Sequence, residues 1–167
     1  MKAEQIDQEF LELVNRYQPV LHRVCRMYAD GVEDRRDLFQ EMLFQLWRSY
    51  GSFQGRSSFG TWLYRIALNT AISAMRKERK KPEQLEFDEQ TAPQPKPSDS
   101  LREAERIDRL HRAIGKLNPI DRALVMLYLD DLSYREMADI LGLSETHVGA
   151  KLNRIKTRLQ HLVEERR

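Results

Sequence analysis

Four cations, Lys151, Arg154, Lys156 and Arg158, fall close together near the end of the chain, and side chains of this type at this density suit phosphate oxygens. The residues before them have a logic of their own. Ser133-Tyr134-Arg135-Glu136 has the form of a capping box, with serine at the N-cap and glutamate at the third helical position. Gly142 can close the resulting short helix in left-handed geometry, and Ser144 can cap the next one. A short capped helix, a Gly-Leu-Ser turn and a longer basic helix make a helix-turn-helix, and Ala138 is small enough for the two helices to cross closely. In that arrangement Ser144, Glu145, Thr146 and His147 stand where base edges are read, and the four cations meet the backbone. A helical hairpin with a solvated outer face is the plain alternative. Cap, box, glycine, alanine and basic helix together favour DNA. A second basic run, Arg76-Lys77-Glu78-Arg79-Lys80-Lys81, suits a phosphate track or a solvated helix end equally.

Other chemistry is thin. His22 and Cys25 sit at i, i+3, the spacing of a metal-ligand pair, but no second pair completes a site, so core placement and no metal are expected. A single cysteine excludes an internal disulfide and a zinc site built on paired cysteines. Neither a Ser-His-Asp set in recognisable context nor a glycine-rich phosphate loop appears, so neither an enzyme nor a cofactor is expected. No run approaches the roughly 18 apolar residues of a membrane span, and MKAEQIDQEF lacks the apolar stretch of a secretory signal. A cytoplasmic chain without membrane insertion is expected.

The elements that must carry these residues are helical. With 41% hydrophobic residues but only 7 Gly and 6 Pro, the composition supports a core and disfavours an all-β fold. Residues 82–100 hold four of the six prolines and a net charge of −4, a composition that folds poorly, and read as a flexible acidic linker. It separates a segment 1–81 of net charge +4 from a segment 101–167 of +2. In the first, Ile6, Phe10, Leu13, Val14, Tyr17, Leu21, Val24 and Tyr28 form one stripe at helical spacing. Gly31 stops that helix. Asp34 is the expected cap of a second helix facing inward through Leu38, Met42 and Leu46, and Ser57 or Ser58 of a third with Trp62, Leu63, Ile66, Thr70, Ile72 and Met75 inward. The second segment should hold four helices. Leu101–Leu117 carries Ile107, Leu110 and Ile114, and Asn118-Pro119 opens the next, which Asp130-Asp131 ends. The capped helix and the basic helix follow, the latter striped by Val148, Leu152, Ile155, Leu159 and Leu162. The expected architecture is all-α, two small helical domains joined by a linker, the second containing the helix-turn-helix.

Two strings in the first segment narrow the reading. Asp37-Leu38-Phe39-Gln40-Glu41 with Phe44-Gln45-Leu46-Trp47, and Ser58-Phe59-Gly60-Thr61-Trp62-Leu63-Tyr64-Arg65-Ile66-Ala67-Leu68-Asn69, resemble the second conserved region of bacterial sigma factors. Leu117-Asn118-Pro119 through Leu159 resembles the fourth. With only these two regions and a short connector, the chain is similar to the extracytoplasmic-function (ECF) group. The resemblance implies that Asp37, Gln40, Glu41, Phe44 and Trp47 bind core RNA polymerase. It implies that Ser57, Ser58, Phe59, Asn69 and Ser73 cradle the unwound −10 strand while Arg65, Arg76 and Lys77 hold phosphates. Segment 101–167 would read the −35 duplex. An anti-sigma factor is an implied partner, and the linker is implied to thread a polymerase channel. Phe44, Trp47, Phe59 and Trp62 are alternatively plain core residues. One departure stands out: after the recognition-helix valine the family commonly has lysine, and here stands Gly149. The rival reading is a helix-turn-helix regulator with a helical sensing or dimerisation domain. A pure sequestering protein would leave the basic helix unexplained.

Overall fold

A computed structural model describes residues 2–79 and 99–164. They form helices α1 (Lys2–Tyr28), α2 (Val32–Tyr50), α3 (Phe59–Arg79), α4 (Asp99–Gly115), α5 (Pro119–Leu129), α6 (Tyr134–Leu141) and α7 (Glu145–Glu164), with no strand among the described residues. Helices α1, α2 and α3 pack together, as do α4 to α7, in line with an all-α pair of units. The expected linker 82–100 lies outside the described residues except at its end. Asp99 and Ser100 already belong to α4, so that helix starts earlier than Leu101.

Most helix starts follow the local chemistry expected of them. The Asn118 side chain accepts from the Asp121 N–H at 2.9 Å, with Pro119 next. Ser133 and Glu136 make both bonds of the capping box, at 3.1 and 2.7 Å. Ser144 Oγ accepts from the His147 N–H at 3.1 Å, and Gly142 turns the chain at φ 67°. At α3 the cap is Ser58, accepting from the Thr61 N–H at 3.1 Å, and not Ser57. Asp34 is not a cap. Helix α2 starts from Gly31 with no side-chain cap, and Glu33 and Asp34 lie in its first turn, where their charges favour the positive end of the helix dipole.

The core departs from the expected stripes in an instructive way. Leu38, Met42 and Leu46 of α2 are buried as expected, but Ile6 and Ile107 are about half exposed and Leu110 is exposed. Helix α3 buries a wider face than its large residues suggest, through Leu63, Tyr64, Ala67, Leu68, Ala71 and Ile72. It packs against α1 and α2 and also against α5 and α6. In α5 every residue from Arg122 to Leu127 is buried. A helix buried all round needs neighbours on every side. Here α4, α6 and α7 cover part of it and α3 covers the rest, so the two units share one packed core.

Arg122 is the buried cation of that core. It donates from Nε to the Leu117 carbonyl at 3.3 Å, from Nη1 to the Met27 carbonyl at 3.1 Å, and from Nη2 to the Gly115 carbonyl. Two of these belong to the end of α4, where carbonyls lack helical partners. The core placement expected of both holds for Cys25, which is buried, but not for His22, which is exposed with its ring stacked on Phe39 at 4.7 Å. Burial pushes the Cys25 thiol up to about 11, against the opposing pull of Arg35 and Arg26. Among the described residues no group of three or more His, Cys, Asp or Glu side chains could hold a metal ion.

Candidate nucleic-acid interface

The residues singled out in the sequence fall on three helix faces, those of α2, α3 and α7, and most of them are exposed. On α2, Asp37, Gln40, Glu41 and Phe44 share the stripe opposite Leu38, Met42 and Leu46. Phe44 is 56% exposed and Trp47, at its flank, 47%. Trp47 also meets Phe10 edge-to-face at 5.1 Å, which anchors one side of its ring while the other faces solvent. The core alternative therefore fails for Phe44 and holds only in part for Trp47.

On α3, Arg65, Asn69, Ser73 and Arg76 recur on the face away from the core, with Lys77 beside them, and all are exposed. At the head of this stripe stands an aromatic cluster. Phe59 and Trp62 lie 5.2 Å apart, Phe53 is 5.9 and 5.1 Å from them, and Tyr50 is 6.2 Å from Trp62. Both Phe59 and Trp62 are only partly buried, so these rings form a ledge rather than an interior. Phe53 was missed by sequence reasoning because it lies in a turn with no helical period to flag it. Gly60 lets the ledge close: a Cβ there would stand 3.1 Å from the Tyr17 hydroxyl. Ser57 Oγ donates to the Ser58 carbonyl, and Ser58 is engaged in capping. Arg65 differs from the other cations in donating at 2.6 Å to the Asp139 carbonyl on α6.

On α7, Val148, Leu152 and Ile155 are buried, while Ser144 before the helix and Glu145, Thr146 and His147 in its first turn are exposed. Opposite the buried stripe run Thr146, Ala150, Asn153 and Thr157, flanked by Arg154 and Arg158. Asn153 and Thr157 carry no charge to mark them in the sequence, yet both are exposed there. Lys151 is not presented as expected. Its side chain is only 24% exposed and pairs with Asp121 at 3.6 Å, so it ties α7 to α5. Lys156 is exposed on the other flank, with its ammonium 4.5 Å from the Tyr128 ring centroid.

Gly149 lies in the interior of α7. The Tyr134 ring of α6 lies against it, and a Cβ at 149 would stand 3.3 Å from Cε2. Glycine inside a helix costs about 1 kcal/mol relative to alanine. Tyr134 is 41% exposed, so its ring can yield the few tenths of an ångström required. Gly149→Ala is therefore expected to stabilise the fold by about 0.5–1 kcal/mol, measured as a rise in the urea midpoint.

Among the described residues, a helical fold with an acidic and aromatic face on α2, an aromatic ledge leading into a polar and basic stripe on α3, and a helix-turn-helix is the kind found in nucleic-acid-reading proteins of transcription. Comparison with known proteins specifies which. Residues 13–81 match sigma-70 region 2 and residues 107–159 match sigma-70 region 4. The chain is 30% identical over 165 residues to the ECF RNA polymerase sigma-E factor of Escherichia coli, covering 91% of this chain and 85% of that one. It is 27% identical over 158 residues to the ECF sigma factor SigW of Bacillus subtilis, covering 87% and 83%. It is also 30% identical over 165 residues to SigG of Mycobacterium tuberculosis, covering 81% of this chain but spanning only 44% of that longer protein. The fold matches CnrH, solved in complex with the cytosolic domain of CnrY, at a TM-score of 0.69 and 23% identity over 96% and 91% of the two chains. It matches RpoE of Bartonella quintana, solved with the anti-sigma factor NepR, at a TM-score of 0.67 and 23% identity over 98% and 99%. The chain belongs to the ECF sigma factors.

Proposed function

We propose that this chain directs core RNA polymerase to two-part promoters and assists their opening, leaving RNA synthesis to the polymerase. The observation that carries this reading is the α2 face, where Phe44 and Trp47 are about half exposed beside Asp37, Gln40 and Glu41. Large aromatics on the polar side of a helix are a protein-docking feature, and carboxylates beside them repel DNA. The α3 ledge and stripe then take the unwound −10 strand. Phe59 and Trp62 offer stacking surfaces; Ser57, Ser58, Asn69 and Ser73 offer hydrogen bonds; Arg65, Arg76 and Lys77 offer charge. The −35 duplex goes to α7, with Ser144, Glu145, Thr146 and His147 toward bases and Arg154, Lys156 and Arg158 toward phosphates. Lys151 joins them only by leaving Asp121.

An anti-sigma factor is the further partner we assign, supported by the likeness to RpoE, a sigma factor solved with the anti-sigma factor NepR. Work in the cytoplasm follows from this reading. No described helix is long and apolar enough to cross a membrane. Association with purified core polymerase tests the reading; failure to associate would favour the regulator alternative.

The −35 assignment has its own test. Arg154→Ala is expected to weaken binding of the polymerase complex about equally at matched and mismatched −35 sequences and to lower the salt slope by about one. Lys151→Ala should do less, since its charge is already paired. Thr146→Ala or His147→Ala should instead change which −35 sequence is preferred. Equal losses at all sequences for all four variants, measured by salt-titrated binding, would contradict the base-reading roles.

A further inference from the structure

A cavity of about 920 Å³ opens where the C-terminal ends of α1 and α4 meet, a volume within the usual range of small-molecule sites. None of its lining residues belongs to the faces assigned to polymerase, the −10 strand or the −35 duplex. Its wall carries seven Arg and Lys side chains against two carboxylates, Asp30 and Glu78, in a chain whose net charge is only +2. Two of the seven cations are committed elsewhere. Arg23 Nη2 donates to Asp130 at 2.9 Å, and Arg122 donates to three backbone carbonyls. The other five, Arg26, Arg35, Arg109, Arg112 and Lys116, have no ion pair among the described residues. Arg35, Arg109 and Arg112 each donate to a backbone carbonyl, and only through Nε.

The ordinary use of cations at helix ends accounts for only part of this. Arg26 and Arg112 do stand in the last turns of α1 and α4, and each helix C-terminus carries about half a negative charge. The two ends together offset about one positive charge. Setting aside that charge, the two carboxylates and the paired Arg23 leaves about three positive charges unmatched around one cavity. A cleft lined by one sign of charge focuses its field and draws in the opposite sign. The remaining wall is of another kind: Met75 of α3, Met126 and Leu129 of α5 and Leu162 of α7 supply apolar surface. A ligand that satisfies both walls carries several negative groups at one end and an apolar-faced body at the other.

We propose that this cavity binds a nucleoside polyphosphate, its phosphates held by Arg26, Arg35, Arg109, Arg112 and Lys116 and its base seated against Met75, Leu129 and Leu162. A triphosphate chain brings about three to four negative charges, which matches the unpaired cations in number. Four of the five are arginines, whose planar fork meets phosphate oxygens two at a time. Methionine sulfur makes favourable contacts with aromatic rings, which suits Met75 to a base. The site goes beyond the promoter-directing reading and does not depend on it.

Isothermal titration of the full chain with GTP, ATP and inorganic triphosphate tests the site. At least one nucleotide should bind one to one, and at least about tenfold more tightly than inorganic triphosphate. Arg26→Ala with Lys116→Ala, two exposed positions, should weaken that nucleotide by at least about tenfold while the melt of the free protein stays unchanged. Arg16→Ala with Arg48→Ala removes the same charge from exposed positions outside the cavity and should leave binding as it is. Leu129→Ser, at a residue 60% exposed, should reduce the preference for nucleotide over inorganic triphosphate without affecting the latter. Absence of one-to-one binding by both nucleotides overturns the proposal. Equal affinity for nucleotide and inorganic triphosphate overturns the seat for the base. Equal losses in the two double variants reduce the effect to net charge and overturn the cavity as the site.

Discussion

A chain carrying Asp37→Arg together with Glu41→Arg is expected to lose association with core RNA polymerase by at least about a hundredfold while keeping its fold. Opposed like charges at an interface cost several kcal/mol, and about 2.7 kcal/mol already equals a hundredfold. Both carboxylates are exposed, and the bond that Gln45 Nε2 donates to Glu41 at 2.9 Å is itself at the surface. Surface changes of this kind usually stay within about 0.5 kcal/mol of stability. Co-sedimentation with core polymerase, read beside a thermal melt, separates loss of docking from loss of fold. Normal association by the double variant would remove α2 as the docking face.

The second large effect is structural. Arg122→Ala is expected to lower stability by about 3 kcal/mol, which for a chain of this size is a fall in Tm of roughly 6–12 °C. The substitution leaves the Leu117, Gly115 and Met27 carbonyls without the guanidinium that reaches them, the first of them buried and the other two at the wall of an open cavity. Arg122→Lys should recover little, because one ammonium cannot reproduce the planar fork. Because Met27 belongs to the other unit, the loss should also loosen the packing between the units. Calorimetric melts of the three proteins check it; an unchanged Tm in Arg122→Ala would contradict the carbonyl-clamp account.

Much of the fold was legible because its punctuation is local. The Asn118-Pro119 start, the Ser133–Glu136 box and the Gly142 turn each act over three or four residues, so spacing alone reveals them. The exposed stripe of α2 was legible for the same reason, since one helix face buries Leu38, Met42 and Leu46 and leaves the other open. What escaped depends on contacts distant in sequence. Ala67 and Ala71 carry little hydrophobic signal, yet both are buried because α3 is covered on two sides. Arg122 and Tyr64 are buried because α5 is seated against the first unit. Ile107 and Leu110 read as core although neither is buried, because helical periodicity does not say whether a partner covers the stripe. Asp130 was legible only as a helix stop. Its side chain acquires a role when Arg23 and Tyr64 arrive from the other unit.

The central claim is that this chain makes core polymerase promoter-specific, and in vitro transcription tests it most directly. Purified core enzyme is given a library of promoter fragments with and without the protein, and the 5′ ends of the transcripts are mapped. The account predicts defined start sites that appear only when the protein is added, share sequence elements near −10 and −35, and vanish with Asp37→Arg/Glu41→Arg. Little specific duplex binding is expected from the protein alone, since its net charge of +2 supplies few phosphate contacts. Tight, sequence-specific binding of duplex DNA by the isolated chain, with no change in the transcripts made by core polymerase, would contradict it.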